Sequence, residues 1–275
     1  MGTNVILVLK AIVIAIVEGV TEFVPVSSTG HMIIVGNVIN FKGEFANIFE
    51  IVIQLGAILA IIVLYWNKIW GSVVDLFKGK SSGIKFWTNI IIACLPAVVF
   101  GLILNDKINE YLFNPLTVAF ALVVGGILMI VIENRFRHKY TTNSIEQISI
   151  KQSFKIGIFQ CLALWPGMSR SASTIMGGWI SGVSTVAATE FSFFLAIPIM
   201  MGATGLTLIK SGMNFTSGEI ITLIVGFATA FLVSLIVVEK FIFYLKKKPM
   251  KIFAVYRIII GVVLLFLIKF GKISL

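Results

Sequence analysis

The chain has 275 residues, 58% of them hydrophobic and only 12% charged, with a mean hydropathy of +1.04. A soluble domain carries about a quarter of its residues as charges, so a soluble globular enzyme and a disordered segment are both excluded, and a polytopic membrane protein remains. The net charge of +10 does not argue for a nucleic-acid partner: the bases sit in short loops between apolar runs, where they orient a membrane protein and attract anionic lipid head groups.

In chain order, the first apolar run, about 5–17, contains Lys10 and ends in acids without a small-residue cleavage site, so it reads as a retained helix and not a signal peptide. The polar words Glu18-Gly19-Val20-Thr21-Glu22 and Pro25-Val26-Ser27-Ser28-Thr29-Gly30-His31 follow, then a second short run at 32–41. Three runs near the 20 or so residues that a spanning helix needs come next, at about 46–66, 87–104 and 116–132. The pattern then repeats. A short run at 154–165 leads into Pro166-Gly167-Met168-Ser169-Arg170-Ser171-Ala172-Ser173-Thr174 and a short run at 175–183. Three more long runs lie at about 187–208, 219–239 and 252–270.

Two short helices around a polar turn predict a re-entrant hairpin, whose broken backbone survives at membrane depth only in contact with protein or a cavity. The expected fold is an all-α integral membrane protein with six spanning helices plus two re-entrant helical hairpins, in a single membrane domain, 1–275. Three spans per half turn the second copy over, so repeat 1 (about 1–135) and repeat 2 (about 150–275) form an inverted-topology repeat. Setting Ser27 opposite Ser169 puts Glu18 opposite Gln160 and Ser28 opposite Arg170; with a two-residue slip, Glu50 falls opposite Glu190. The stretches 68–85, 135–155 and 240–251 hold fourteen Lys and Arg, against six on the other side: Lys10, Lys42, Lys107, Lys210, Lys269 and Lys272. That asymmetry predicts the first set to be cytoplasmic and both termini to lie outside. Cys94 and Cys161 sit in apolar runs and read as small core residues, with no CxxC, HExxH or GxxxxGK[ST] word in the chain.

Ionisable groups at membrane depth are costly and usually functional. Glu18 and Glu22 are four apart and share a helix face, where two carboxylates call for a divalent cation, a shared proton or a nearby arginine; a structural acid pair bonded to backbone is the plain alternative. Ser27, Ser28 and Thr29 suit helix capping, or a phosphate cradle at a helix start with one serine as nucleophile. His31 is a candidate base or acid, because the intrinsic pKa of an imidazole lies near neutrality. Arg170 has a planar fork suited to two phosphate oxygens, with Ser169, Ser171, Ser173 and Thr174 as further donors and Gly167 allowing close backbone approach. Arg257, about six residues into the last run, is expected to snorkel to the surface. Glu50 and Glu190 are expected to cap or brace the hairpins, and His138 to be solvated.

Together these words resemble those of the undecaprenyl-pyrophosphate phosphatases, the bacitracin-resistance protein family. The acid word matches Glu18 to Glu22, the following loop matches Pro25 to His31, and PGxSRSxxT matches Pro166 to Thr174. Phe159 to Pro166 and Ala188 to Phe193 are also similar, so the resemblance spans nearly the whole chain. One departure is Ala172-Ser173, where many members read Gly-Ala. The resemblance implies a bacterial membrane enzyme that removes one phosphate from a long polyisoprenyl diphosphate, undecaprenyl diphosphate, and so recycles the lipid carrier for cell-wall precursors. It implies Glu22, Ser28 and Arg170 as essential, Glu18 and His31 as support, a divalent cation (Mg2+ or Ca2+) at Glu18 and Glu22, and a site open to the outer face. The acid-phosphatase superfamily also uses Ser-Gly-His and Ser-Arg words, but it needs a His about six residues after the Arg, and position 176 is Met. The second reading is a transporter or flippase of the same lipid, since inverted repeats and midplane charges suit alternating access as well.

Overall fold

A computed structural model describes residues 5–211 and 215–271; the termini and Lys272, used above for orientation, lie outside the described residues. Eleven α-helices are found among them: α1 Val5–Thr21, α2 Ser28–Val38, α3 Glu44–Leu64, α4 Trp66–Phe77, α5 Ser81–Lys107, α6 Pro115–Phe136, α7 Ile150–Gln160, α8 Arg170–Ile180, α9 Thr185–Ser211, α10 Ser217–Leu245 and α11 Lys251–Lys269. No strand occurs among the described residues; a lone bridge pairs Thr142 with Val183. Six helices are long and apolar enough to cross a membrane, namely α3, α5, α6, α9, α10 and α11. They coincide with the six long runs of the sequence, and α1–α2 and α7–α8 occupy the four short ones.

Local chemistry accounts for the starts. Asn114 caps α6 by accepting from Thr117 N, with Pro115 at the first helical position. Ser149 with Gln152, and Thr216 with Glu219, form reciprocal capping boxes on α7 and α10. The outward faces carry bare apolar side chains, such as Leu102, Ile103 and Ile224, which in a bilayer meet lipid and not water. The helix α4 was not anticipated. It buries no residue and exposes Trp66, Trp70 and Phe77, with the two indoles stacked 5.8 Å apart. Apolar and aromatic side chains on one short helix bearing Lys68 and Asp75 suit the membrane interface.

The hairpins are interleaved with the spans of the opposite half. The helix α1 packs on α10, and α7 on α5; α3 packs on α9, and α6 on α11. The largest core cluster joins the turn after α1 (Phe23, Val24 and Val26) to Ala172, Ile175, Met176 and Trp179 of α8. Phe23 meets Phe193 of α9 edge-on at 5.3 Å. The first hairpin's turn therefore rests on the second hairpin in the interior. At the far end of α6, buried Glu133 accepts from Met250 N at 2.7 Å, which ties α6 to the start of α11, and pairs with Arg137 of its own helix end at 3.3 Å.

Candidate active site

The two hairpins are built alike at their turns. Ser27 (φ 74°) and Ser169 (φ 70°) are the N-caps of α2 and α8, and each hydroxyl accepts from the N–H three residues on, Gly30 and Ala172, at 3.3 Å. L residues seldom adopt such φ values, and strain of about 1–3 kcal/mol persists only where the surroundings over-determine it. Arg257 supplies much of that determination. It is fully buried, and one terminal nitrogen donates to Met168 O at 2.8 Å and Gly167 O at 3.0 Å. The other reaches Pro25 O at 3.5 Å. The expectation that Arg257 snorkels to the surface is thus corrected: two broken helices free several carbonyls at one depth, and a five-donor guanidinium from α11 satisfies them. Gly125 of α6 makes room, because a Cβ there would fall on the Arg257 guanidinium. Gly167 holds φ +100°, and a Cβ there would fall 2.7 Å from Val118 O of α6.

Between the starts of α2 and α8 lies a cavity of about 150 Å³. Its polar lining is Glu22, Ser27, Ser28, Thr29, Gln54, Ser169 and Arg170; Ala163, Pro166, Gly167 and Met200 complete the wall. Ser28 Oγ donates to Glu22 Oε2 at 2.6 Å. Arg170 donates to Glu22 Oε1 at 3.0 Å and to Ser192 O and Oγ of α9 at 2.8 and 3.2 Å. Its guanidinium lies 5.9 Å from the Phe23 ring, and its Nε is buried with no partner. One carboxylate therefore bridges a serine from the first half and an arginine from the second. Two helix N-termini, each presenting unpaired N–H groups and the positive end of a dipole, face the same space. Such an arrangement favours an anion with several oxygens.

Other residues singled out from the sequence stand elsewhere. His31 donates through Nδ1 to Ser27 O at 2.8 Å, since a carbonyl only accepts. Its Nε2 meets Tyr256 Oη at 2.8 Å, with the two rings stacked. Both nitrogens are thus bonded to other partners, and Glu22 is the group bonded to the Ser28 hydroxyl. Ser171, Ser173 and Thr174 are fully buried and do not line the cavity. Ser171 donates to Val24 O, Ser173 to Ser169 O, and Thr174 contacts Arg170 O and Ser192 Oγ. They were expected to touch substrate; instead they fasten α8 to its surroundings, because backbone at the turn needs those partners more closely than a ligand does. Of the two acids expected to cap or brace the hairpins, neither caps α2 or α8, where Ser27 and Ser169 do so: Glu50 lines a separate cavity beside Gly36 and Asn37 of α2, and Glu190 meets Tyr65 and Lys68.

A divalent cation fits part of the expected ligand pair. Mg2+ and Ca2+ accept one or two protein carboxylates together with substrate phosphates, and Glu22 faces the cavity with lone pairs to spare beyond its two bonds. Glu18 is fully buried, lines no part of that cavity, and has no hydrogen-bond partner at either oxygen, so it does not fit as a second ligand. Among the described residues no group of three or more His, Cys, Asp or Glu side chains is placed to hold a metal alone.

Gln54, Ser192 and Tyr256 join the site without having been singled out. Gln54 had a visible signal, as the one polar residue in the stretch 51–64. Ser192 lay unremarked within the matching stretch Ala188 to Phe193, and Tyr256 had no signal, since a hydroxyl inside an apolar run is common.

Residues 11–263 match the family described as Bacitracin resistance protein BacA. An undecaprenyl-diphosphatase of Clostridium tetani (strain Massachusetts / E88) is 62% identical over 270 residues, covering 98% of this chain and 100% of the relative. One from Clostridium perfringens (strain SM101 / Type A) is 54% identical, covering 98% of each chain. One from Caldanaerobacter subterraneus subsp. tengcongensis is 52% identical, covering 95% of this chain and 96% of the relative.

Proposed function

We propose, from the premise that this chain belongs to the BacA family of bacitracin resistance proteins, that it hydrolyses undecaprenyl diphosphate to undecaprenyl phosphate and orthophosphate, recycling the lipid carrier for cell-wall synthesis. The observation that carries the reading is Glu22, bonded at 2.6 Å to Ser28 and at 3.0 Å to Arg170, in a cavity headed by two helix N-termini. The relatives' names favour hydrolysis over transport of the same lipid.

In this reading the diphosphate enters between α2 and α8. Arg170, Ser27, Thr29, Ser169 and the free N–H groups hold its oxygens. Glu22 takes the proton of Ser28 as Oγ bonds to the distal phosphorus, and the P–O bond to the lipid phosphate breaks. A water, oriented by Glu22, then releases orthophosphate from the seryl ester, and Ser28 regains a proton. Most of the rate gain comes from charge positioned around the transferring phosphoryl group. A divalent cation at Glu22 would offset phosphate charge. His31 and Glu18 act through position, one bracing the α2 turn and the other standing behind Glu22.

We further propose that the two halves are related by a two-fold in the membrane plane, supported by the exchange of partners between α1–α10 and α7–α5 and by the matched Ser27 and Ser169 caps. The excess of basic residues supports placing the loops at 68–85, 135–155 and 240–251 in the cytoplasm, with the cavity opening to the outer face.

The test is orthophosphate release from undecaprenyl diphosphate by protein purified in detergent. The wild-type protein is expected to turn over without a membrane gradient, and Ser28→Ala to lose about a thousandfold or more. Normal release by Ser28→Ala would end the seryl-ester route.

A further inference from the structure

Each hairpin holds its strained serine by the carbonyl as well as by the hydroxyl. Ser27 O accepts the His31 backbone N–H at 3.3 Å and also the His31 ring Nδ1–H at 2.8 Å. Ser169 O accepts the Ser173 backbone N–H at 3.0 Å and the Ser173 hydroxyl at 2.8 Å. In both halves, the residue four places beyond the cap gives its side chain to the cap carbonyl. The second half uses a hydroxyl, which rotates to suit its acceptor. The first half uses an imidazole, and a neutral imidazole can donate here only with its proton on Nδ1, which leaves Nε2 as an acceptor.

Tyr256 of α11 supplies what that tautomer needs. Its Oη lies 2.8 Å from His31 Nε2, and the two rings are stacked, 5.5 Å between centres and 9° apart in plane. An O–H donated to Nε2 favours the proton on Nδ1, and so favours the bond to Ser27 O. Arg257, the next residue of α11, reaches Pro25 O of the same turn at 3.5 Å.

The Ser27 carbonyl matters because its peptide also carries the Ser28 N–H. No peptide bond among the described residues is cis, and in a trans peptide the C=O and N–H point opposite ways. Ser27 O points along α2 to His31, so the Ser28 N–H points out of the helix start. Ser27, Ser28 and Thr29 line the catalytic cavity at that end, and the Ser28 N–H has no backbone acceptor among the described residues. Ser27 holds φ 74° and ψ 94°, outside the regions that L residues favour. A peptide strained in this way keeps its orientation only while its surroundings hold it.

We propose that Tyr256 is a positioning residue that acts through His31. Its hydroxyl fixes the imidazole as a donor to Ser27 O, and the Ser27–Ser28 peptide, held by that bond, aims the Ser28 N–H at the phosphoryl group being transferred. His31 exchanges no proton with the substrate. The proposal rests on the hydrolysis reading and adds to it one main-chain donor and the two side chains that orient it.

Wild-type protein in detergent is assayed first; no orthophosphate release from undecaprenyl diphosphate refutes the hydrolysis reading and this proposal with it. Given an active wild type, Tyr256→Phe keeps the stacked ring and removes the hydroxyl. Its kcat is expected to fall about tenfold, with KM within about twofold of wild type. His31→Asn replaces the ring by an amide whose Nδ2 can reach the same carbonyl, as Asn37 of α2 reaches Ile33 O at 2.7 Å. That variant is expected to keep a kcat at least about tenfold above that of His31→Leu. An amide has no tautomer to fix, so Tyr256→Phe should cost less than about twofold when added to His31→Asn. An equal loss from Tyr256→Phe in both backgrounds marks a packing role and overturns the proposal. Wild-type kcat in Tyr256→Phe does the same, as does a His31→Asn no more active than His31→Leu. A measurement that leaves the site unaltered is nitrogen-15 NMR of His31 after the other of the two histidines, His138, is replaced by Gln. The expected spectrum at the pH of the assay is that of a neutral ring protonated on Nδ1. A ring protonated on Nε2, alone or together with Nδ1, overturns the proposal.

Discussion

At the scale of single residues, the site is a division of labour among groups of similar type. Two arginines lie near the hairpin turns. Arg170 lines the cavity and reaches Glu22, while Arg257 is turned to main-chain carbonyls of both turns; each keeps a buried Nε without a partner. A buried carbonyl left without a donor costs about 1–3 kcal/mol. Arg257→Met is therefore expected to lower the unfolding temperature in detergent and to reduce orthophosphate release at least tenfold. A variant with wild-type release would show that the turns keep their shape unaided. Glu22, Ser28 and Arg170 were legible in the sequence because acids, hydroxyls and guanidinium stand out in an oily chain. The separate fates of His31, Ser171, Ser173 and Thr174 were not legible, because a hydroxyl or imidazole bonded to backbone has the same sequence signature as one facing a ligand.

At the scale of elements, the short helices depend on their neighbours. Neither α2 nor α8 exceeds 11 residues, too few for an isolated helix to be stable, and each is held at its start by a strained serine cap. The helix that clamps them, α11, is itself anchored by Glu133 of α6 through Met250 N, with Arg137 at the end of α6 paired to the same carboxylate. Glu133→Ala leaves a buried N–H unpaired, so it is expected to cost about 1–3 kcal/mol, read as a lower unfolding temperature. Activity should fall with it, since Tyr256 and Arg257 ride on α11. Unchanged stability would place the anchoring of α11 in its apolar contacts with α6 alone. All six long helices were legible from hydropathy. The interfacial α4 was not, because its 12 residues are too short for the 20-residue criterion and too mixed in polarity for an apolar run.

At the scale of the whole molecule, each half supplies what the other lacks: serine and carboxylate from the first, arginine from the second, with the core continuous between them. The orientation proposed from the basic loops predicts a labelling pattern. With Cys94 and Cys161 replaced by serine, a membrane-impermeant maleimide on intact cells should label Lys42→Cys and leave Lys78→Cys unlabelled until the cells are lysed. The reverse pattern would invert the proposed topology.

The amino-acid order by itself determined the membrane class, the number of spans, the two interrupted helices and the chemical types gathered at them, since all of these follow from local hydropathy and from residue chemistry along the chain. Only the tertiary structure decided which of two arginines meets the carboxylate, that the histidine turns to a tyrosine 225 positions away, and that Gln54 of the third helix joins the cavity while Glu50 lines another. Those pairings join residues far apart in the chain, and contacts at that separation are set by how helices pack, which no local pattern encodes.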